Sequence, residues 1–133
     1  FIYDYMVRGF LKAAGISLQD QHGIKAIKSK IDKFVFVFPR EIYFENGNGG
    51  NIKEPHGVIE RPLRCQTMQG ERVTLARSDY IDVGCHCDFD IEILQNLKGI
   101  KKELIKELLQ YGKFSGLGQF RNGSYGRFEV KVK

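Results

Sequence analysis

A glycine-rich, basic segment near the carboxyl-terminal end, SGLGQFRNGSYGRFEVKVK (residues 115–133), contains the residues best suited to chemistry. Its glycines allow the backbone to approach a partner without obstruction by side chains. Backbone N–H groups and arginines donate hydrogen bonds to phosphates, and Phe120 or Tyr125 offers a ring on which an unpaired base can stack. The polar and aromatic residues among the glycines are Gln119, Phe120, Arg121, Asn122, Ser124, Tyr125 and Arg127. This composition is suited to contact with a polyanion.

Two phosphate-binding motifs do not fit this segment. A P-loop requires Lys and then Ser or Thr after its last glycine, whereas Ser124 and Tyr125 follow Gly123. A dinucleotide-binding fingerprint requires a third glycine where Arg121 stands, and a helix beyond it. The signature of the RNA-recognition module is also absent. A plain turn stays open as an alternative, because RNGS is by itself a hairpin signal and Phe120 could fill the core.

Positive charge is concentrated on the same part of the chain. From Lys113 onward there are five basic residues and one acidic residue, whereas the first 112 residues hold 16 basic and 15 acidic ones. A localised positive charge favours an anionic partner such as a nucleic-acid backbone, although basic tails are also commonly solvated surface.

Length and composition predict one soluble globular domain. The chain has 133 residues, of which 42% are hydrophobic and 28% are charged, and these are ordinary globular values. No apolar run approaches the roughly 20 residues that span a bilayer, so we expect no membrane partner. The odd number of cysteines, at Cys65, Cys85 and Cys87, favours a reducing compartment, and we expect a cytoplasmic location.

Hydrophobic periodicity predicts three helices and four strands. The apolar stripes of the helices are Val7, Phe10, Leu11 and Ala14; then Ile24, Ile27 and Ile31; then Ile100, Leu104, Ile105, Leu108 and Leu109. The strands are expected at 34–39, around 72–77, at 87–94 with Phe89, Ile91 and Ile93 facing inward, and at 127–132. Turn-forming residues predict an exposed loop over 46–62, and the glycine-rich loop spans 115–126.

This order of elements predicts an α+β fold over residues 1–133, with helices on one face of an antiparallel sheet. If a further strand lies within or before the first residues, the arrangement becomes ferredoxin-like (RRM-like), a βαββαβ unit that carries a long loop insertion.

Three segments resemble the RAMP superfamily, the ferredoxin-like RNA-binding proteins of CRISPR effector and processing complexes. The segment GKFSGLGQFRNGSYGRFEV is similar to the glycine-rich loop of that group, in which a helix leads into a basic and aromatic loop before a strand. The segments YMVRGFLKAAG and IDVGCHCDFDIEIL resemble an early helix and a strand of its backbone-subunit branch. Together the three segments cover about a third of the chain.

The resemblance implies a non-catalytic RNA-binding module of antiviral defence, which grips single-stranded, guide-like RNA and assembles with other subunits of a ribonucleoprotein complex. It implies that the loop contacts RNA, with Arg8 and Lys12 as neighbours of the contact. The loop residues carried over are Gly116, Gly118, Arg121, Gly123, Gly126 and Arg127. The chain departs from the family in its short length, in Asn122 and Ser124, and in lacking a clear counterpart of the nucleases' general-base histidine.

Two other functions stay open. One is a structural or protein-interaction role, of a phage-related kind, in which the loops 46–62 and 115–126 make protein contacts. The other is metal-independent cleavage of RNA by His56, which lies beside Arg61 and Arg64. The run Cys85-His86-Cys87 is better explained as a strand start than as a zinc site, because adjacent positions point to opposite faces. We expect no cofactor, no metal and no catalytic residue.

Overall fold

The computed structural model describes residues 1–118 and 121–133. For Asn122, within the second range, it describes the backbone but not the side chain. The chain is of the α+β class, since helices and small antiparallel sheets are both present. It divides into two compact units: unit 1 comprises Phe1–Ile42 and Asp88–Lys133, and unit 2 comprises Tyr43–Cys87. Among the described helices, none combines the length and the apolar composition that crossing a bilayer requires.

Helices α1 and α3 of unit 1 form where apolar residues repeat at helical spacing. Helix α1 (Asp4–Ser17) buries the predicted stripe of Val7, Phe10, Leu11 and Ala14, and the short helix α2 (Gln19–His22) follows it. Helix α3 (Ile27–Phe34) buries Ile27 and Ile31. Side chains three and four residues apart share one helix face, so each stripe can enter the same core.

The main sheet of unit 1 is an antiparallel pair. Strand β2 (Val35–Phe38) follows α3 directly and pairs with β6 (Asp90–Ile93) through Val35↔Ile93 and Val37↔Ile91. Alternation places Ile91 and Ile93 against the core and Asp90 and Glu92 in solvent, as predicted. A smaller antiparallel pair joins β1 (Ile2–Tyr3) to β3 (Glu41–Ile42).

Helix α4 (Lys102–Gln110) completes the core of unit 1. It buries Leu104, Ile105, Leu108 and Leu109 on the predicted stripe and runs into a 3-10 turn at Tyr111–Lys113. The prediction of a last strand at 127–132 was wrong, because residues 127–133 belong to no sheet. Phe128 and Val130 nevertheless pack against the core from this segment. Packing against helices, rather than strand pairing, is therefore what holds the terminal segment.

Unit 2 is dominated by one long hairpin. Strand β4 (Gly57–Thr67) pairs with β5 (Gly70–Tyr80) along eleven matched positions, around a turn at residues 68–69. The strand predicted around 72–77 lies within β5, and the last six residues of the loop predicted over 46–62 belong to β4 instead. Pro62 is tolerated where it pairs with Leu75, because an outer strand edge needs no N–H donor from a proline.

Candidate functional site

The two arms of the glycine-rich loop cross at close range. The amide N–H of Leu117 donates a hydrogen bond to the carbonyl oxygen of Gly126, with 2.9 Å between the nitrogen and the oxygen. A Cβ atom on Gly116 would lie 2.5 Å from the amide nitrogen of Arg127, and a Cβ atom on Gly126 would overlap with the carbonyl oxygen of Leu117. Only glycine fits at both positions, so this crossing closes the loop.

Phe128 anchors the closed loop to the core. Its amide donates a hydrogen bond of 3.0 Å to the carbonyl oxygen of Gly112, at the end of α4. Its ring lies edge-on to Phe10 of α1, with 4.9 Å between the ring centroids and 65° between the ring planes. A Cβ atom on Gly112 would lie 2.5 Å from the Phe128 ring, so the glycine makes room for it. The loop therefore emerges from a fixed base.

Arg121 and Arg127 extend from this base into solvent. Arg121 begins a single 3-10 turn, Arg121–Gly123, in which the amide of Ser124 donates a hydrogen bond of 3.0 Å to the Arg121 carbonyl. Both arginine side chains belong to exposed residues. Within the described part of the chain, no carboxylate forms an ion pair with either arginine. Their charge is therefore available to an external anion.

The other predicted loop residues are described in part. Tyr125 is 41% exposed. Gly118 has a φ angle of +89°, and Met6 Cε of α1 lies 4.0 Å from its Cβ position, so the loop runs beside the first turn of α1. Gln119, like Phe120, lies outside the described residues, and for Asn122 only the backbone is described. Gly123 closes the 3-10 turn.

Arg8 and Lys12, the predicted neighbours of the loop, both contact Asp32 of α3. The Arg8 guanidinium donates a hydrogen bond of 2.9 Å to the backbone carbonyl of Asp32 and lies 3.4 Å from its carboxylate. The Lys12 ammonium group pairs with the same carboxylate oxygen. Arg8 also lies over the Phe36 ring, 5.6 Å from its centroid. One carboxylate thus partly offsets the charge of both cations.

His56, the residue considered for RNA cleavage, has an ordered place at the base of the hairpin. Its Nδ1 atom accepts a hydrogen bond of 2.7 Å from the backbone amide of Asp82. In this arrangement a neutral imidazole carries its proton on Nε2, and the lone pair of Nδ1 is already occupied by the hydrogen bond from Asp82. The ring is suited to fixing the chain beside Tyr80, whose carbonyl oxygen accepts the His56 amide at 2.9 Å. The geometry does not favour a role for His56 as a general base.

His86 of unit 2 pairs with Glu45. The Nε2 atom of His86 lies 3.1 Å from Glu45 Oε2, and the backbones of the two residues form an antiparallel bridge. Both side chains are partly exposed, as is common for surface ion pairs. Cys85 is half-buried and is not paired in a disulfide.

Sequence reasoning missed a pocket of about 360 Å³ beside the anchor of the loop. Its lining residues are Gln110, Lys113, Phe114, Phe128 and Val130. Phe114 follows the end of α4, outside the apolar stripe of the helix, and 73% of its surface is exposed. The signal that could have identified it is a phenylalanine directly after a basic residue at a helix end, in a position that the core does not need.

The candidate interface of unit 1 is therefore a closed glycine loop with a fixed base, two exposed arginines and an adjoining aromatic pocket. Every basic residue from Lys113 to Lys133 is exposed, and Glu129 is the one acidic residue among them in the sequence. No protein-family model, curated protein or solved structure matches the chain.

Proposed function

We propose that the chain is a non-catalytic RNA-binding module, which grips single-stranded RNA through the glycine-rich loop. The observation that carries the proposal is the pair of exposed arginines, Arg121 and Arg127, on a loop whose base is fixed by Phe128. Guanidinium groups form charge-assisted hydrogen bonds to phosphate oxygens. A fixed base lowers the entropy that binding would otherwise cost.

A flexible single strand suits this surface better than a rigid duplex. The loop is small, and its exposed groups combine cations with the partly exposed ring of Tyr125. Unpaired bases can turn towards an aromatic ring while their phosphates follow the cations, whereas the stacked bases of a duplex are inaccessible to a ring. The acidic outer positions of β6, Asp90 and Glu92, argue against a path across that sheet.

A ferredoxin-like arrangement of unit 1 is part of the proposal. With α2, α3 and β3 as additions, the elements α1, β2, β6 and α4 follow the central α-β-β-α order of a βαββαβ unit, and the antiparallel pairing of β2 with β6 suits its second and third strands. Unit 2 then stands as an insertion between those two strands. The resemblance to RAMP backbone subunits supports guide-like RNA and further protein subunits as the partners.

The test is filter binding of short single-stranded RNA over a series of salt concentrations. We expect affinity to fall steeply with salt, because each neutralised phosphate contributes about 0.7 to the slope of log affinity against log salt. The double variant Arg121→Ala with Arg127→Ala should lower that slope by about 1.4. The matched control is Arg64→Ala with Arg77→Ala on the hairpin, which removes the same amount of positive charge. These two arginines already pair with Glu71 and Glu60, so the salt slope should stay that of the wild-type protein.

Equal slopes for the wild-type protein and the loop double variant would refute the assignment of the two arginines. Wild-type binding without any dependence on salt would refute the phosphate grip itself. The wild-type protein could also cleave the RNA. If that cleavage requires Arg121 and Arg127 and is abolished by His56→Ala, the endoribonuclease alternative replaces the proposal.

A protein-interaction function is the second candidate, and the hairpin of unit 2 favours it. Leu75 and Val73, which share one face of β5, are 73% and 59% exposed. Exposed apolar residues that cluster on one element commonly mark a protein contact. Sedimentation velocity tests this candidate, because Leu75→Asp should remove any self-association that the wild-type protein shows.

A further inference from the structure

We infer that the pocket beside the loop, lined by Gln110, Lys113, Phe114, Phe128 and Val130, receives one nucleobase of the bound RNA. The inference rests on the proposed RNA-binding function and adds a stacking contact to its phosphate contacts. None of the five lining residues is among the loop residues that the resemblance assigns to RNA contact.

The position of the pocket connects it to the arginines. Phe128 lines the pocket and also anchors the loop, and Arg127 is the residue directly before it in the chain. An RNA strand held at Arg127 therefore has the pocket within its immediate reach. The volume of about 360 Å³ lies at the lower end of the range for small-ligand sites, which is appropriate for a single base rather than a larger ligand.

Phe114 supplies the stacking surface. Its ring is 73% exposed, although the backbone that carries it is held by a hydrogen bond of 2.9 Å from the Phe114 amide to the carbonyl oxygen of Tyr111. The Tyr111 ring lies 6.2 Å away at a tilt of 45°, so it supports Phe114 without covering it by stacking. A base that covers this ring would remove apolar surface from water, and every base has a face that can do so.

The polar lining suits a nucleotide in its charge. Lys113 supplies one cation for the attached phosphate, and the amide of Gln110 can both donate to and accept from a base edge. None of the five lining residues is acidic, in contrast to the alternate positions Asp90 and Glu92 of β6. The pocket is thus complementary to a base and its phosphate together.

The experiment measures fluorescence anisotropy at one salt concentration with two labelled probes: uridine-rich single-stranded RNA, and inorganic polyphosphate, which carries charge without bases. Phe114→Ala should weaken RNA binding by about 5- to 150-fold, as expected for the loss of one stacked base, and leave polyphosphate binding unchanged. Phe114→Trp should preserve RNA binding, and RNA should quench the fluorescence of the new tryptophan.

The matched control is Phe38→Ala, which removes another exposed phenyl ring from the position opposite Asp90. It should leave both affinities unchanged. Circular dichroism melts of each variant establish that the protein is folded at the temperature of the measurement.

The outcomes separate the pocket from the proposed function. If Phe114→Ala binds RNA as the wild-type protein does while the arginine double variant loses affinity, the pocket assignment is overturned and RNA binding stands. If Phe114→Ala weakens both probes equally, the ring supports the loop and not a base, which also overturns the assignment. If the wild-type protein binds RNA no more tightly than it binds polyphosphate, and both only weakly, the proposed function fails and the pocket assignment fails with it.

Discussion

Leu117 and Gly126 are joined across the glycine-rich loop by a backbone hydrogen bond of 2.9 Å, where the two arms of the loop cross. Gly126 has a φ angle of +80° there, and a Cβ atom would overlap with the Leu117 carbonyl oxygen. The glycine is therefore required twice, for its backbone conformation and for its lack of a side chain.

Gly126→Ala should open the crossing. The left-handed backbone and the overlap together should lower the free energy of unfolding by about 2–4 kcal/mol, measured by urea denaturation. Gly118→Ala is the matched control, because its φ angle is +89° while no described atom approaches its Cβ position more closely than Met6 Cε at 4.0 Å. It should cost about 1–2 kcal/mol, and equal costs at the two positions would contradict the crossing as described.

Gly9→Ala should stabilise the protein. Gly9 lies inside α1 and is exposed, and among the described residues no atom beyond its chain neighbours and the helix's own backbone lies within 4 Å of its Cβ position. Alanine has a better helix propensity because it restricts the unfolded chain, so the midpoint of urea unfolding should rise by an amount equivalent to about 0.5–1 kcal/mol. A lower midpoint for this variant would show that the exposed side of α1 is covered in solution.

Phe128→Ala should detach the terminal segment. The half-buried ring fills the space above Gly112 and contacts Phe10, so its loss should cost about 2–3 kcal/mol. If the fixed base matters to function, RNA affinity should fall although both arginines remain. Val132→Ala, nearer the end and 50% exposed, should change neither quantity appreciably. Unchanged stability of Phe128→Ala would rule out the anchor.

Asp32→Asn tests whether Arg8 and Lys12 belong to the interface. The paired side chains are partly exposed, so the substitution should change the free energy of unfolding by less than about 1 kcal/mol. It should strengthen RNA binding if the released cations reach the strand. Asp20→Asn in α2 removes an equal charge from another exposed site, and the same gain in both variants would mean that only net charge matters.

The helical core of unit 1 could be predicted from sequence because its signal is local. Each stripe, such as Leu104 with Leu108, depends only on spacing along one helix, and the inward alternation of Ile91 and Ile93 needs only a period of two. The α+β class followed from the order of these elements.

The hairpin was harder to recognise because its two faces are both largely exposed. Without a buried face there is no selection for strict alternation, and Pro62 and Arg64 interrupt the apolar residues of β4. The start of β4 was therefore assigned to the loop. The prediction of a strand at 127–132 failed for the opposite reason, since Phe128 alternates like a strand residue but packs half-buried against the core without pairing with a neighbouring strand.

The site was predictable in composition and not in geometry. Exposed arginines among glycines could be recognised from the sequence, because charge and flexibility are properties of the residues themselves. The pairing of Arg8 with Asp32 joins positions 24 residues apart, and the pocket at Phe114 depends on where residues 128 and 130 return to the end of α4. Such relationships arise only from tertiary packing.

The position of unit 2 in the chain has a consequence for how such a protein can change over time. Tyr43–Cys87 interrupts the connection between β2 and β6, which are neighbours in the sheet. Each doubling of the length of a flexible connection adds only about 0.6 kcal/mol to the entropic cost of closing it. Mutation can lengthen, shorten or exchange the hairpin at little energetic cost. The length of the hairpin and the shape of the glycine-rich loop are therefore free to diverge separately.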